Sequence, residues 1–314
     1  MTTITTALGR AARLRRPRIQ RLRTKEALAF YLCISPWLLG FLFFYLGPML
    51  ASFALSLTNW DLLTPPNFVG LANYVRIFTK DALFLKSLKI TGIYTFSCVS
   101  LELVFALGFA LLLNQRIRGI GVFRTIYYLP SVLAGVAYVV MWMWIFNPRA
   151  GLINTLLGYV GIQGPRWLQD PNWALPALII MSLWGVGRSM VIYLAGLQDI
   201  PTSLYEAAKI DGANRWHEFF KITLPLLTPS ILFNLVFGII MTFQSFTNVY
   251  VATNGGPLDS TLFYVVYLYR KAFEHLAMGY ASALAWILLL IVLVCTLIIL
   301  RSSGRWVFYR GEME

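Results

Sequence analysis

Residues 198–225 read QDIPTSLYEAAKIDGANRWHEFFKITLP, a polar stretch flanked by two long apolar blocks, 174–197 and 226–250. It reads as structured rather than as a plain connector. Pro201-Thr202-Ser203 opens a helix, with Ser203 and Glu206 at capping-box spacing. Tyr205, Ala207, Ala208 and Lys209 suit that helix, and Asp211-Gly212 makes a turn because glycine reaches positive φ without a steric cost. A second amphipathic stretch, 214–222, carries Trp216, Phe219 and Phe220, and Pro225 closes it where the next apolar block begins.

The flanking blocks belong to a set. Six apolar windows, 27–57, 87–114, 122–146, 174–197, 226–250 and 277–300, are each long enough to cross a bilayer, which takes about 20 residues. The 314-residue chain is 58% hydrophobic and only 12% charged, against roughly 45–50% and about 25% in soluble domains. So few charges leave too little polar surface to cover a soluble globule. The expected fold class is therefore an all-α polytopic membrane protein with six transmembrane helices. A secreted disulfide scaffold, a disordered chain and a soluble enzyme are excluded. The first window is over-long, about 46 Å as an ideal helix against a hydrocarbon core of about 30 Å; Pro36, Gly40 and Gly47-Pro48 allow it to kink. It is also too long, and lacks the cleavage site, for a signal peptide.

The net charge is +13. Eight bases, Arg10, Arg13, Arg15, Arg16, Arg18, Arg21, Arg23 and Lys25, lie in an arm of residues 1–26 that runs into the first apolar window. No nucleic-acid motif accompanies them, and the arm reads as a juxtamembrane segment at an anionic leaflet. With the N-terminus inside, inner segments hold seventeen Lys and Arg: the arm, Arg116, Arg118, Arg124, Lys209, Arg215, Lys221, Arg301, Arg305 and Arg310. Outer segments hold seven: Arg76, Lys80, Lys86, Arg149, Arg166, Arg270 and Lys271. The positive-inside rule then puts both termini, and the 301–314 tail, in the cytoplasm. Cys33, Cys98 and Cys295 fall inside apolar windows, as small packing residues rather than disulfide or metal partners. His217 and His275 lie on opposite sides, so no zinc or non-haem iron set can be assembled; there is no P-loop and no GxSxG, and nothing nominates a nucleophile for an intramembrane enzyme.

The spaced run Glu206-Ala207-Ala208, three residues, Gly212, nine residues, Ile222-x-Leu224-Pro225 resembles the EAA loop of ABC importer permeases. FALSLTNWD (53–61), FVGLANY (68–74), FRTIYYLPSVLAGV (123–136), FNPRAGLIN (146–154), YLAGLQDIP (193–201) and GYASALA (279–285) resemble the carbohydrate branch of that family, the relatives of maltose and glycerol-phosphate permeases. The resemblance covers roughly 27–300 and implies an ABC type I importer permease fold. It implies no cofactor on this chain, with ATP and Mg on a partner ATPase. The implied partners are a second homologous permease, two ABC ATPase subunits and an extracytoplasmic solute-binding protein, at a bacterial or archaeal plasma membrane. The implied ATPase-coupling residues are Glu206, Ala207, Ala208, Asp211 and Gly212; alternatively, Glu206 serves the capping box and Gly212 a plain helix stop.

Glu102 and Arg188 lie near the middles of their windows, and an ionisable group at that depth is a functional-site candidate. One reading is a structural ion pair between them. The other is that Arg188 faces the path and meets an anionic solute such as a uronate oligosaccharide or glycerol phosphate. Thr242, Gln244, Ser245 and Asn248 form a polar stripe in which Gln244 and Asn248 share a helix face, and Trp184 is placed to stack on a sugar ring. The bland alternative for the stripe is hydrogen bonding between helices. Trp142, Trp144, Trp167 and Trp173 read as interface anchors, Gly279, Ala281, Ala283 and Ala285 as close-packing faces, and outer segments 147–173 and 251–276 as docking candidates. The alternative function is an ion-coupled secondary transporter.

Overall fold

The computed structural model describes residues 25–115, 117–133 and 135–308. The basic arm up to residue 24, Arg116 and Arg310 lie outside the described residues. Three helices are long and apolar enough to cross a membrane unbroken: Lys25–Ser56, Ala82–Leu113 and Met278–Ser303. Three more pass only as bent pairs. They are Ile120–Val132 with Gly135–Ile145, Ala174–Leu183 with Gly187–Gln198 (bent by 42°), and Arg215–Leu226 with Thr228–Phe243 (bent by 60°). A two-residue antiparallel pair, Thr58–Asn59 with Asn67–Phe68, closes the loop after the first helix.

Several windows read as uninterrupted in the sequence are therefore broken or shifted. The second helix starts at Ala82 rather than 87, because the Asp81 carboxylate caps it by accepting from Phe84 N at 3.1 Å. The helix of the fifth window stops at Phe243 and resumes only at Thr247. Pro225 does not close the preceding stretch either. It sits in the first turn of Leu224–Leu226, inside a helical run that begins at Arg215.

Two π turns explain how prolines are carried in these runs. Leu42–Leu46 ends just before Gly47-Pro48, with Gly47 N–H donating to Leu42 O, and Phe219–Thr223 ends just before Leu224-Pro225, with Leu224 N–H donating to Phe219 O. Proline lacks a donor and its ring crowds the carbonyl four residues back. The extra residue of a π turn widens the helix where that crowding would fall, so the run continues.

The Ala82–Leu113 helix is the spine of two stacked cores. Tyr94, Cys98 and Val99 pack with Met181, Phe243, Tyr264 and Leu284 in one; Ala106, Ala110 and Leu113 pack with Met190, Tyr193, Leu197 and Leu227 in the other. The small side chains of Ala106 and Ala110, both fully buried, let the Gly187–Gln198 helix come close. Trp142 and Trp167 are not interface anchors. They join a chain of ring contacts, Trp142 to Phe146 at 5.0 Å and Phe146 to Trp167 at 5.3 Å, and Trp167 Nε1 donates to Asn154 Oδ1 at 2.7 Å. Cys98 is buried, with Sγ 3.1 Å from Ser182 Oγ.

The first helix stands apart. No residue of it from Lys25 to Leu55 is buried, and Trp37, Phe41 and Tyr45 stack along one exposed edge. Only its end is held, where Phe53 meets Trp286 edge-on at 5.0 Å and Gly279 lies against the backbone at Thr58. A Cβ on Gly279 would overlap the Thr58 carbonyl oxygen, and backbone cannot swing away. Gly279→Ala is expected to destabilise the protein by about 1–3 kcal/mol, read as a lower thermal midpoint in detergent. Gly40→Ala, which meets open space in a helix, should leave the midpoint unchanged or raise it.

Candidate functional site in a loop helix and a broken span

The loop helix runs Thr202–Ile210. Its N-cap is Pro201, held extended at φ −61° and ψ 134°, and no side chain caps it. The expected capping box is absent because the helix starts too early: Ser203 falls at the second helical position, where its hydroxyl cannot act as the N-cap. Glu206 is thus left exposed, with no capping duty. The stop is a Schellman motif. Gly212 N–H donates to Lys209 O at 3.1 Å and Ala213 N–H to Ala208 O at 2.8 Å, with Gly212 at φ +78°.

One face of this helix is tied down. Tyr205 packs with Ile222 and Leu226 under the second core, and its hydroxyl lies 2.9 Å from Thr223 Oγ1 in the π turn. The other face is bare: Glu206, Ala207, Asp211 and Gly212 are exposed, with Ala208 half-buried. Beside them Ile210 is 87% exposed, and Trp216 and Phe220 stack at 6.1 Å, also exposed. A polar end of the molecule therefore carries a built platform of small, acidic and apolar side chains.

Within the membrane, Ala174–Leu183 and Gly187–Gln198 are separated by Trp184-Gly185-Val186. The carbonyl of Met181, which near the break accepts from Trp184 N at 3.3 Å, also accepts from the Tyr138 hydroxyl. Trp184 stacks on Tyr138 at 5.6 Å and meets Trp142 edge-on at 5.9 Å, yet keeps 36% of its surface exposed. Gly187 abuts the backbone of Tyr127 and Tyr128, which brings the third span against the start of the second half-helix.

Glu102 and Arg188 do not form an ion pair. The Ser189 hydroxyl donates to Glu102 Oε1 at 2.6 Å. Arg188, one residue earlier, is rotated by about 100° around the helix and is exposed in the first turn of the half-helix. The ion pairs among the described residues are Lys86–Asp259 and Arg270–Asp259. Ser189 was missed in the sequence, where one serine in an apolar window carries no sign of its facing. The glycine pair of Trp184-Gly185-Val186-Gly187 was the legible signal for the break.

The polar stripe of the fifth window is not one face. Thr242 Oγ1 donates to Gly238 O at 2.7 Å, and the helix ends one residue later, so the four-residue spacing of Gln244 and Asn248 does not align them. Gln244 is exposed and borders an apolar groove of about 420 Å³ with Leu268, Leu288 and Thr296. Ser245 and Asn248 are half-buried. Trp184 and Arg188 thus share one half-broken span, whereas the 242–248 residues are divided by a helix break.

Broken apolar helices long enough together to cross a bilayer, with a bare polar platform at one end, make up a polytopic membrane architecture. The chain belongs to the family of binding-protein-dependent transport system inner membrane components, which residues 102–306 match. It is similar to the probable ABC transporter permease protein YesP of Bacillus subtilis, 49% identical over 294 residues, covering 92% of this chain and 95% of that one. It is 35% identical over 290 residues to the trehalose/maltose transport system permease protein MalF of Thermococcus litoralis (91% and 97% covered). It is 38% identical over 272 residues to the lactose transport system permease protein LacF of Rhizobium radiobacter (84% and 90%). In fold it matches a chain of a bacterial alginate ABC transporter crystallised with an alginate-bound periplasmic protein, with a TM-score of 0.77 at 24% identity, covering 90% of this chain and 96% of that one. The protein is thus an ABC transporter permease component with the type I importer permease fold.

Gly212 meets no neighbouring atom within 4 Å, so only its positive φ constrains the residue there. Transport in whole cells should therefore fall in the order Gly, Asn, Ala, Val at position 212, the order of cost for left-handed backbone, while membrane insertion stays equal by immunoblot.

Proposed function

We propose that this chain is one of two permease subunits of an ATP-driven carbohydrate importer, forming half of the translocation path. The observation that carries this reading is the bare loop helix, seated through Tyr205 and presenting Glu206, Ala207, Ala208, Asp211 and Gly212 outward. Its C-terminal end is closed by the Gly212 turn and its start uses no side-chain cap, Glu206 included, which leaves that carboxylate available to a base on a partner ATPase holding ATP and Mg. The membership in a binding-protein-dependent family supports an external solute-binding protein and import. Relatives named for trehalose/maltose and lactose support a sugar as the solute.

The second permease has a natural seat along the first helix, whose stacked Trp37, Phe41 and Tyr45 are left exposed by the described residues. The excess of seventeen Lys and Arg on the loop-helix side over seven on the other supports a cytoplasmic loop and cytoplasmic termini. The ion-coupled alternative would need a carboxylate facing Glu102, and the Glu102 carboxylate is bonded to a serine hydroxyl.

For the solute, the exposed Arg188 at the start of a half-helix favours an anionic sugar. Cation and helix N-terminus act on the same negative group, and Trp184 offers a ring face beside it. A relative from Agrobacterium fabrum is named for sulfoquinovosyl glycerol transport.

Two experiments test these parts separately. Pull-down of the chain should recover an ATPase subunit, and Glu206→Arg should abolish recovery with insertion intact; recovery at the wild-type level would overturn the coupling role. Arg188→Gln should lower uptake of a uronate oligosaccharide about tenfold or more relative to a neutral one of equal length, the loss of one charge-assisted contact. An unchanged ratio would remove Arg188 from the path.

A further inference from the structure

At the membrane end opposite the loop helix lies a cavity of about 340 Å³ lined by Arg76, Lys80, Lys271, His275, Asp81 and Tyr280 among others. The end is fixed by the Ala82–Leu113 helix. It begins beside this cavity at Asp81 and finishes at Leu113, where Asn114 and Gln115 border a second cavity with Gln198 and Thr202 of the loop-helix end. Cations are scarce on this side. Of the seven there, Lys86 and Arg270 are committed to Asp259, and three, Arg76, Lys80 and Lys271, gather around one cavity.

The gathering is built, not incidental. The Arg76 guanidinium carbon lies 5.4 Å from the Tyr280 ring centre, and Lys271 Nζ lies 5.3 Å from that of Tyr267 and 5.8 Å from that of Tyr280. The hydroxyls of both tyrosines donate to Asp81 Oδ2, while Asp81 Oδ1 takes Phe84 N. Partial burial opposes the charge on Asp81, yet these hydrogen bonds and Lys271 hold its pKa below the ordinary carboxylate value. The one acid in the cavity is thereby turned toward the tyrosines, and three basic side chains line the same cavity. His275 Nδ1 donates to Arg270 O, which leaves Nε2 of the same ring free of that bond.

The helix that supplies two of the cations, Ala72–Lys80, lies at the same level and has three sides. Asn73 and Ile77 are buried, with Asn73 Nδ2 donating to Ser56 O and Thr58 O. Leu71, Val75 and Phe78 form an exposed apolar edge, and Arg76 and Lys80 the cationic edge. An exposed apolar strip beside a cationic pocket at the ends of two spans combines the two parts of a phospholipid, acyl chain and phosphate.

We propose that this pocket binds the phosphate of an anionic phospholipid in the leaflet opposite the loop helix. Arg76, Lys80 and Lys271 contact the phosphate oxygens, and the Leu71, Val75 and Phe78 edge lies along the chains. The lipid thereby ties the Ala72–Lys80 helix to the Arg270–Glu274 turn that precedes the last span.

The test is native mass spectrometry of the full-length chain in detergent, titrated with phosphatidylglycerol, phosphatidylcholine or inorganic phosphate. Phosphatidylglycerol should bind, and the Arg76→Ala/Lys80→Ala/Lys271→Ala variant should bind it at least about tenfold more weakly. The single Lys80→Gln variant, at an exposed position, should give a smaller loss and guards against misfolding of the triple variant. Arg149→Ala/Arg166→Ala, which removes two exposed cations of the same side outside the cavity, should bind as wild type. Equal loss in that control, equal binding of phosphatidylcholine, or occupancy by inorganic phosphate alone would overturn the proposal. So would a triple variant that keeps its lipid but loses solute uptake in cells, which would make the patch a protein-docking face.

Discussion

In hydrocarbon a peptide group without a hydrogen-bond partner costs several kcal/mol, and no water stands ready to supply one. That single requirement explains why nearly every described crossing is helical and why the interruptions are so closely managed. Where the fourth span breaks, the Tyr138 hydroxyl reaches the Met181 carbonyl, and Ser182 Oγ donates to Ile179 O at 2.7 Å. Where the fifth span bends, Thr228 Oγ1 donates to Pro225 O at 2.6 Å and accepts from Phe308 N at 2.8 Å. The breaks are affordable only because a neighbouring helix or the local side chain completes the backbone. This is also why they occur beside the packed cores and not in the first helix, which among the described residues has no such neighbour along most of its length.

Much of this was legible in the sequence. Apolar runs marked where the long apolar helices and bent helix pairs lie, and the spacing from Glu206 to Pro225 marked the loop helix and its glycine stop. What escaped was local competition. Ser203 and Glu206 have the right spacing for a capping box, but Pro201 already fixes the extended entry and starts the helix at Thr202. Gln244 and Asn248 have the right spacing for one face, but the helix ends between them. In both cases the spacing rule was sound and its premise, an uninterrupted helix in the assumed register, was not.

Facing was the other blind spot. A helix apolar on all sides carries no amphipathic signal, so nothing in the sequence could say that Ser189 rather than Arg188 turns toward Glu102. The structure resolves this by one residue of rotation. The same rotation places one polar side chain in the packed interior and leaves the adjacent cation outside it, so burial and accessibility are divided between consecutive residues.

The π turn at Leu42–Leu46 sets a phase. Before it lie the stacked Trp37 and Phe41, Tyr45 stands inside the turn itself, and after it lies Phe53, docked on Trp286. Because that turn holds one more residue than an α turn, the free edge and the docked end are offset by about 100° from where an unbroken α-helix would put them. The bulge thus works as an angular set-screw. Losing a single residue from this turn would leave composition and span length almost untouched, yet swing Trp37 and Phe41 rather more than a quarter of the way around the helix relative to the docked Phe53.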